Sequence, residues 1–124
     1  MGYSLTVLVL TDWQEVKNGD QVVPEGQLHL ARSSGICCQL RDFGEKKPIV
    51  EPRPLPKDMR VLVSKEDSVD YEENDVYGDK LTYVFAKDLK NLDMTADRVT
   101  PFELAAKAYI DALPELTPIV LYWD

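Results

Sequence analysis

Seven carboxylates, Glu66, Asp67, Asp70, Glu72, Glu73, Asp75 and Asp79, fall within fourteen consecutive residues that contain no lysine or arginine. Oxygen-rich runs of this kind serve two chemistries: coordination of a hard cation such as calcium, and electrostatic docking of a basic protein. Calcium is disfavoured by spacing. An EF-hand loop needs oxygens at positions 1, 3, 5 and 12 with glycine at 6, and Gly78 comes too late to serve. Docking gains from Val69, Tyr71, Val76 and Tyr77, which interleave with the acids; tyrosine is enriched in protein-binding surfaces. The residues expected to contact a partner are therefore Glu66, Asp67, Asp70, Tyr71, Glu72, Glu73, Asp75 and Tyr77. The plain alternative for the same run is a solvated loop held open by mutual repulsion of its charges.

Other reactive side chains are few. His29 is the single histidine and no Cys-x-x-Cys pair exists, so a structural zinc site is not expected. Cys37 or Cys38 with His29 is the one thiol–imidazole pairing on offer. Neighbouring cysteines rarely bridge each other, and both fit small, reduced core residues better than a nucleophile. Ser33 and Ser34 follow no nucleophile elbow, and the glycines are too scattered to cradle a phosphate. Arg53-Pro54-Leu55-Pro56 shares part of the pattern of an SH3 ligand but lacks its further proline, Met59 standing near that place. Neither an enzyme, a cofactor nor a metal is indicated. A nucleotide pocket built from Arg53, Arg60, Tyr77, Tyr83 and Tyr109 is the competing expectation, and it requires those side chains to converge.

Charge narrows the partners. The net charge is −8. Such a surface repels phosphate backbones and anionic membranes, so neither direct nucleic-acid binding nor membrane attachment is expected. A basic host protein is the complementary partner. The N-terminus shows no secretion signal. Met1-Gly2 with Thr6 fits the loose myristoylation pattern, though Tyr3 is a bulky neighbour for it. Leu5 to Leu10, the longest apolar run, is broken by Thr6 and is far too short to span a bilayer. The expected compartment is the cytoplasm.

The elements that must carry these residues form one domain over residues 1–124. Tyr3 to Trp13 is expected as a strand apolar on both faces, hence central. Asn18-Gly19 suggests a type I′ turn joining Glu15–Lys17 to Asp20–Val23 in a hairpin. Gln27 to Ala31 resumes a strand. Ile36, Leu40 and Phe43 have helical spacing, with Gly44 as the stop. Residues 46–58 form a proline-rich extended arm, with no strand or helix interior. Met59 to Val63 is a short strand, and 64–79 the acidic loop. Lys80 to Phe85 is a strand leading into a short helix, or residues 80–94 are one helix. Thr100-Pro101-Phe102-Glu103 opens a helix with a capping box and proline at its first position; its apolar face is Phe102, Ala105, Ala106, Tyr109 and Leu113. Pro118 to Trp123 is the last strand. The order predicts an α+β fold: a mostly antiparallel sheet with the N- and C-terminal strands central and one or two helices packed on one face.

Four segments, Pro52-Arg53-Pro54-Leu55-Pro56, Asp75-Val76-Tyr77-Gly78, Leu81-Thr82 with Asp88-Leu89, and Pro118-Ile119-Val120-Leu121-Tyr122-Trp123-Asp124, resemble a loose group of small bacteriophage and prophage proteins of unknown function. The chain departs from that group at Thr6 and Val7, where the group often has a histidine and an acid, and at Pro54, where a glycine is common. The resemblance implies a phage-like origin and brings no catalytic residue with it. Together with the charge, it leads to the expectation of an accessory protein that inhibits a host protein, possible targets including anti-phage defence. An immunity protein neutralising a toxin would present the same acidic surface.

Overall fold

The computed structural model describes residues 4–30, 35–41, 47–95 and 99–124. Expectations that rest on Met1, Gly2, Tyr3, Ala31, Ser33, Ser34, Phe43, Gly44 and Lys46 lie outside these residues, as does the side chain of Cys38. The strands are β1 (Leu5–Val9), β2 (Gln21–Val22), β3 (Gly26–Leu30), β4 (Arg53–Pro54), β5 (Arg60–Ser64), β6 (Val69–Glu72), β7 (Thr82–Phe85) and β8 (Pro118–Trp123). The helices are α1 (Trp13–Asn18), α2 (Cys37–Leu40) and α3 (Pro101–Asp111), and Ala86–Leu89 forms a 3-10 turn. None of these helices is long and apolar enough to cross a membrane.

Two sheets and a helical layer make the α+β fold. The five-stranded sheet runs β3-β1-β8-β7-β4, antiparallel throughout, with β1 and β8 inside it. Every residue of β1 and β8 is buried, because each strand is covered on both faces. Leu5, Val7, Ile119, Leu121 and Trp123 face the helical side, against Ile36, Cys37 and Leu40, the 3-10 turn's Ala86 and Leu89, and Ala106 and Ile110 of α3. The alternate residues Leu8, Val120 and Tyr122 face a smaller mixed sheet, β2-β5-β6, through Val22, Val61 and Val63, with Val16 of α1 in the same cluster. This second sheet was not foreseen. Gln27 of β3 ties the two sheets: its side-chain Nε2 donates to the Ser64 carbonyl at 2.8 Å and its Oε1 accepts from the Ser64 amide at 3.0 Å.

Several local expectations need correction. Asn18-Gly19 closes no hairpin; Trp13–Asn18 is helix α1, and the first strand stops at Val9. The Asp12 carboxylate accepts from the Gln14 amide at 2.9 Å, and Glu15 reaches back to the Asp12 amide at 3.3 Å, so a capping box starts a helix where the turn's first strand was expected. Gly19, at φ 69°, is the helix's left-handed stop and donates to the Glu15 carbonyl. Asn18 is not left-handed; Asp58 is the one non-glycine with positive φ among the described residues.

The proline arm does contain a strand. Arg53–Pro54 pairs with Tyr83 and Thr82 at the sheet's edge. The Leu55 amide donates to the Leu81 carbonyl, so alternation turns the nitrogen of Pro54 away from β7, where its missing N–H costs no ladder bond. Residues 64–79 are not one loop: Val69–Glu72 forms β6 on β5. Residues 82–89 are strand plus 3-10 turn, not part of one long helix.

Helix α3 has its capping box and its proline as expected, with Thr100 accepting from the Glu103 amide. Its buried face differs. Glu103, Ala106 and Ile110 are buried, while Phe102 and Tyr109 are 52% and 42% exposed. The helix is apolar around most of its circumference, so hydrophobic count alone did not choose the face. The buried face carries Glu103, whose second oxygen accepts from the Ile36 amide at 3.0 Å, joining the starts of α2 and α3.

Candidate protein-binding surface

The β5–β6 hairpin holds five of the eight residues singled out by sequence, and Glu73 follows directly after it. Its ladder pairs Val61 with Glu72, Leu62 with Tyr71, Val63 with Asp70 and Ser64 with Val69. Residues opposite each other share a face. Asp70 and Glu72 therefore lie on the inner face with Val63 and Val61, at the hairpin's rim. Val69 and Tyr71 lie on the outer face with Ser64 and Leu62, and are 57% and 39% exposed. Glu66 and Asp67 form the tip, closed by the Lys65 amide donating to the Ser68 carbonyl at 2.7 Å.

Bases from outside the acidic run meet its middle. Lys65 Nζ lies 2.6 Å from Glu72 Oε1 and 3.7 Å from Asp70 Oδ2. The hydrogen bond to Glu72 raises the Lys65 pKa above its ordinary value. Arg60 Nε donates to Glu73 at 2.9 Å. Glu66 and Asp67 are exposed and have no ion pair among the described residues.

Asp75 and Tyr77 are separated from this group. Asp75 is 8% exposed. Its Oδ1 accepts from the amides of Tyr77 and Asp79 at 2.9 and 3.1 Å, which shapes the turn that Gly78 closes at φ 86°. Burial pushes its pKa up. Asp75 is thus a turn former rather than a contact residue. Tyr77 donates its hydroxyl to the Asp124 carbonyl at 2.9 Å, and the Val76 amide donates to the Trp123 carbonyl at 3.2 Å. The turn is thereby pinned to the end of β8. Asp79 lies 3.9 Å from Arg41, whose guanidinium sits 5.1 Å from the Trp123 ring centre.

A second polar group was not foreseen. Thr6 Oγ1 lies 3.1 Å from His29 Nδ1 and 3.5 Å from Asp124 Oδ2, and Ser4 donates to Asp124 Oδ1 at 3.0 Å. These residues meet because β1 pairs Thr6 with His29 on one side and with Tyr122 on the other. Both Thr6 and Asp124 address the same ring nitrogen. A catalytic relay needs its acid and its nucleophile on opposite nitrogens of the imidazole, so this group orients the ring and builds no relay. Buried Tyr122 lies beside it, its pKa raised first by desolvation. No local motif marks the group, since its members stand up to 120 positions apart.

Two residues of the nucleotide expectation, Arg53 and Tyr83, are neighbours, but the five do not converge on one place. Arg53 stacks 5.1 Å from the Phe85 ring centre, beside Tyr83 and Trp13 at the β4 edge of the large sheet. Tyr109 meets Gly26 of β3, the opposite edge. Arg60 is engaged by Glu73, and Tyr77 by Asp124. Comparison with protein-family models, curated proteins and solved structures returns no match.

Proposed function

We propose that this domain is a non-enzymatic, phage-like accessory protein that binds and inhibits a host protein through the acidic β5–β6 hairpin, the partner presenting a basic surface. One observation carries the reading: four carboxylates on a single hairpin, with Glu73 directly after it, are gathered against two bases, and the two at its tip, Glu66 and Asp67, have no ion pair among the described residues. Exposed charges of this kind steer encounter and select partners more than they supply affinity. Single exposed ion pairs contribute only about 0–1 kcal/mol each, so the contact must be multidentate. Host proteins with basic nucleic-acid grooves, defence proteins among them, have the complementary charge.

The test joins Glu66→Gln, Asp67→Asn, Asp70→Asn and Glu73→Gln in one variant. Wild-type protein should capture one stoichiometric host protein from bacterial lysate, released by high salt and named by mass spectrometry. The variant should melt close to wild type and capture none of it. Undiminished capture by the variant would remove the hairpin from the binding surface.

A further inference from the structure

We infer that the free edge of β6 takes up an extended basic segment of the partner as an added strand. This deepens the reading above and rests on it. The hairpin's own hydrogen bonds set which main-chain groups are free. The Ser64 amide and carbonyl turn away from β6 to Gln27, so Ser64–Val69 is a pair without ladder bonds. Alternation then makes Val63–Asp70 and Val61–Glu72 the bonded pairs. The amides and carbonyls of Val69 and Tyr71 consequently point outward, away from β5. β6 is the terminal strand of its sheet, and among the described residues no hydrogen-bond partner meets these four groups.

Side chains specify the occupant. In an added strand, residues opposite Val69 and Tyr71 share the outer face, where those two side chains and half-buried Leu62 offer apolar surface. Residues opposite Asp70 and Glu72 share the acidic rim. The fitting segment therefore alternates lysine or arginine with β-branched or aromatic residues, the period of any strand that binds by edge addition. A second copy of this chain fits poorly. Edge-to-edge pairing of two β6 strands would bring Asp70 and Glu72 of one chain near those of the other, on molecules of net charge −8 each. Like charges across a strand pair are destabilising, and charged edges are a common guard against self-pairing.

The probe is a capped heptapeptide alternating lysine and valine, with two controls: the same peptide N-methylated at alternate residues, and its glutamate–valine counterpart. Amide exchange and chemical shifts of the full-length protein are followed by NMR. The lysine–valine peptide should slow exchange at the Val69 and Tyr71 amides at least tenfold and leave Asp70 and Glu72 little changed. Tyr71→Pro, which deletes one outward donor without altering charge or the hairpin's own ladder, should weaken binding about tenfold. The N-methylated peptide gives the same test should that variant unfold. Equal binding of the N-methylated peptide would overturn strand addition and leave the acidic surface standing. Protection along the free edge of β3 instead of β6 would overturn the placement. Failure of the lysine–valine peptide to bind at low salt, or equal binding of the glutamate–valine peptide, would overturn both readings. Protection at Val69 and Tyr71 in concentrated protein without peptide, with dimers in sedimentation, would replace the basic segment by a second copy.

Discussion

Glu103→Ala tests whether one buried carboxylate joins two helix starts. Glu103 is 2% exposed. Its Oε1 accepts from the Thr100 amide at 3.2 Å, and its Oε2 from the Ile36 amide at 3.0 Å. Truncation removes both acceptors. Losing the reciprocal half of the capping box costs about 1 kcal/mol. Leaving the Ile36 amide buried without a partner costs about 1–3 kcal/mol. The expected loss is therefore about 3 kcal/mol in total. In a domain this size 1 kcal/mol moves Tm by about 4 °C, so Glu103→Ala should melt about 12 °C below wild type. Glu103→Gln keeps one acceptor oxygen and the shape, and should fall about 4 °C. Thermal unfolding by circular dichroism, checked by urea titration, reads both. An alanine variant within 2 °C of wild type would show that neither bond matters, and a glutamine variant below the alanine one would reverse the reasoning.

Asp75→Asn should change how stability depends on pH. Burial raises the folded-state pKa of Asp75 above its ordinary 3.8. The stability tied to its protonated form is thus present in full below 3.8 and lost as pH rises through the folded value. The neutral amide escapes this loss while its carbonyl oxygen can still accept from Tyr77 and Asp79. The urea midpoint of the variant should gain on wild type as pH is raised from about 3.5 toward neutrality, and parallel curves would refute the assignment. Tyr122→Phe addresses the alkaline side. Desolvation raises the Tyr122 pKa above 10.0, so its contribution holds below 10.0 and is lost above it; the phenylalanine variant should unfold less steeply at alkaline pH. Asn18→Ala separates helix from hairpin at the Asn-Gly pair. In α1 alanine is the better helix former and the change should be neutral or stabilising by up to about 0.7 kcal/mol, whereas in a type I′ turn it would cost stability. Gly19→Ala, at φ 69°, should cost about 1 kcal/mol by the same denaturation assay.

The acidic run shows how far composition reaches. Its charge was plain from the sequence, and so was its apolar alternation: Val69 and Tyr71 against Asp70 and Glu72 is a period of two. Density of charge hid that period and suggested a loop. What reversed the reading is pairing, since β5 supplies the ladder and Lys65 and Arg60 the countercharge. Asp75 was grouped with its neighbours by type, yet burial sets it apart. At the Asn-Gly pair two local signals competed, and the box of Asp12 and Glu15 prevailed because it satisfies amides that a helix start leaves open.

Periodicity and end chemistry by themselves determined much of this chain. They established the two doubly apolar strands that became the centre of the large sheet and the capped start of α3, and composition set the net charge of −8. These features depend on residues within a few positions of one another, or on composition. Tertiary structure alone decided the rest. The face of α3 that is buried is the one on which Ala106 and Ile110 meet the core and Glu103 meets the Ile36 amide. The group of Ser4, Thr6, His29 and Asp124 follows from the order β3-β1-β8. The tie between the two sheets follows from the hold of Gln27 on Ser64. Each of these contacts joins residues far apart in sequence, where the entropy of closing the chain between them is repaid only once the whole core has formed.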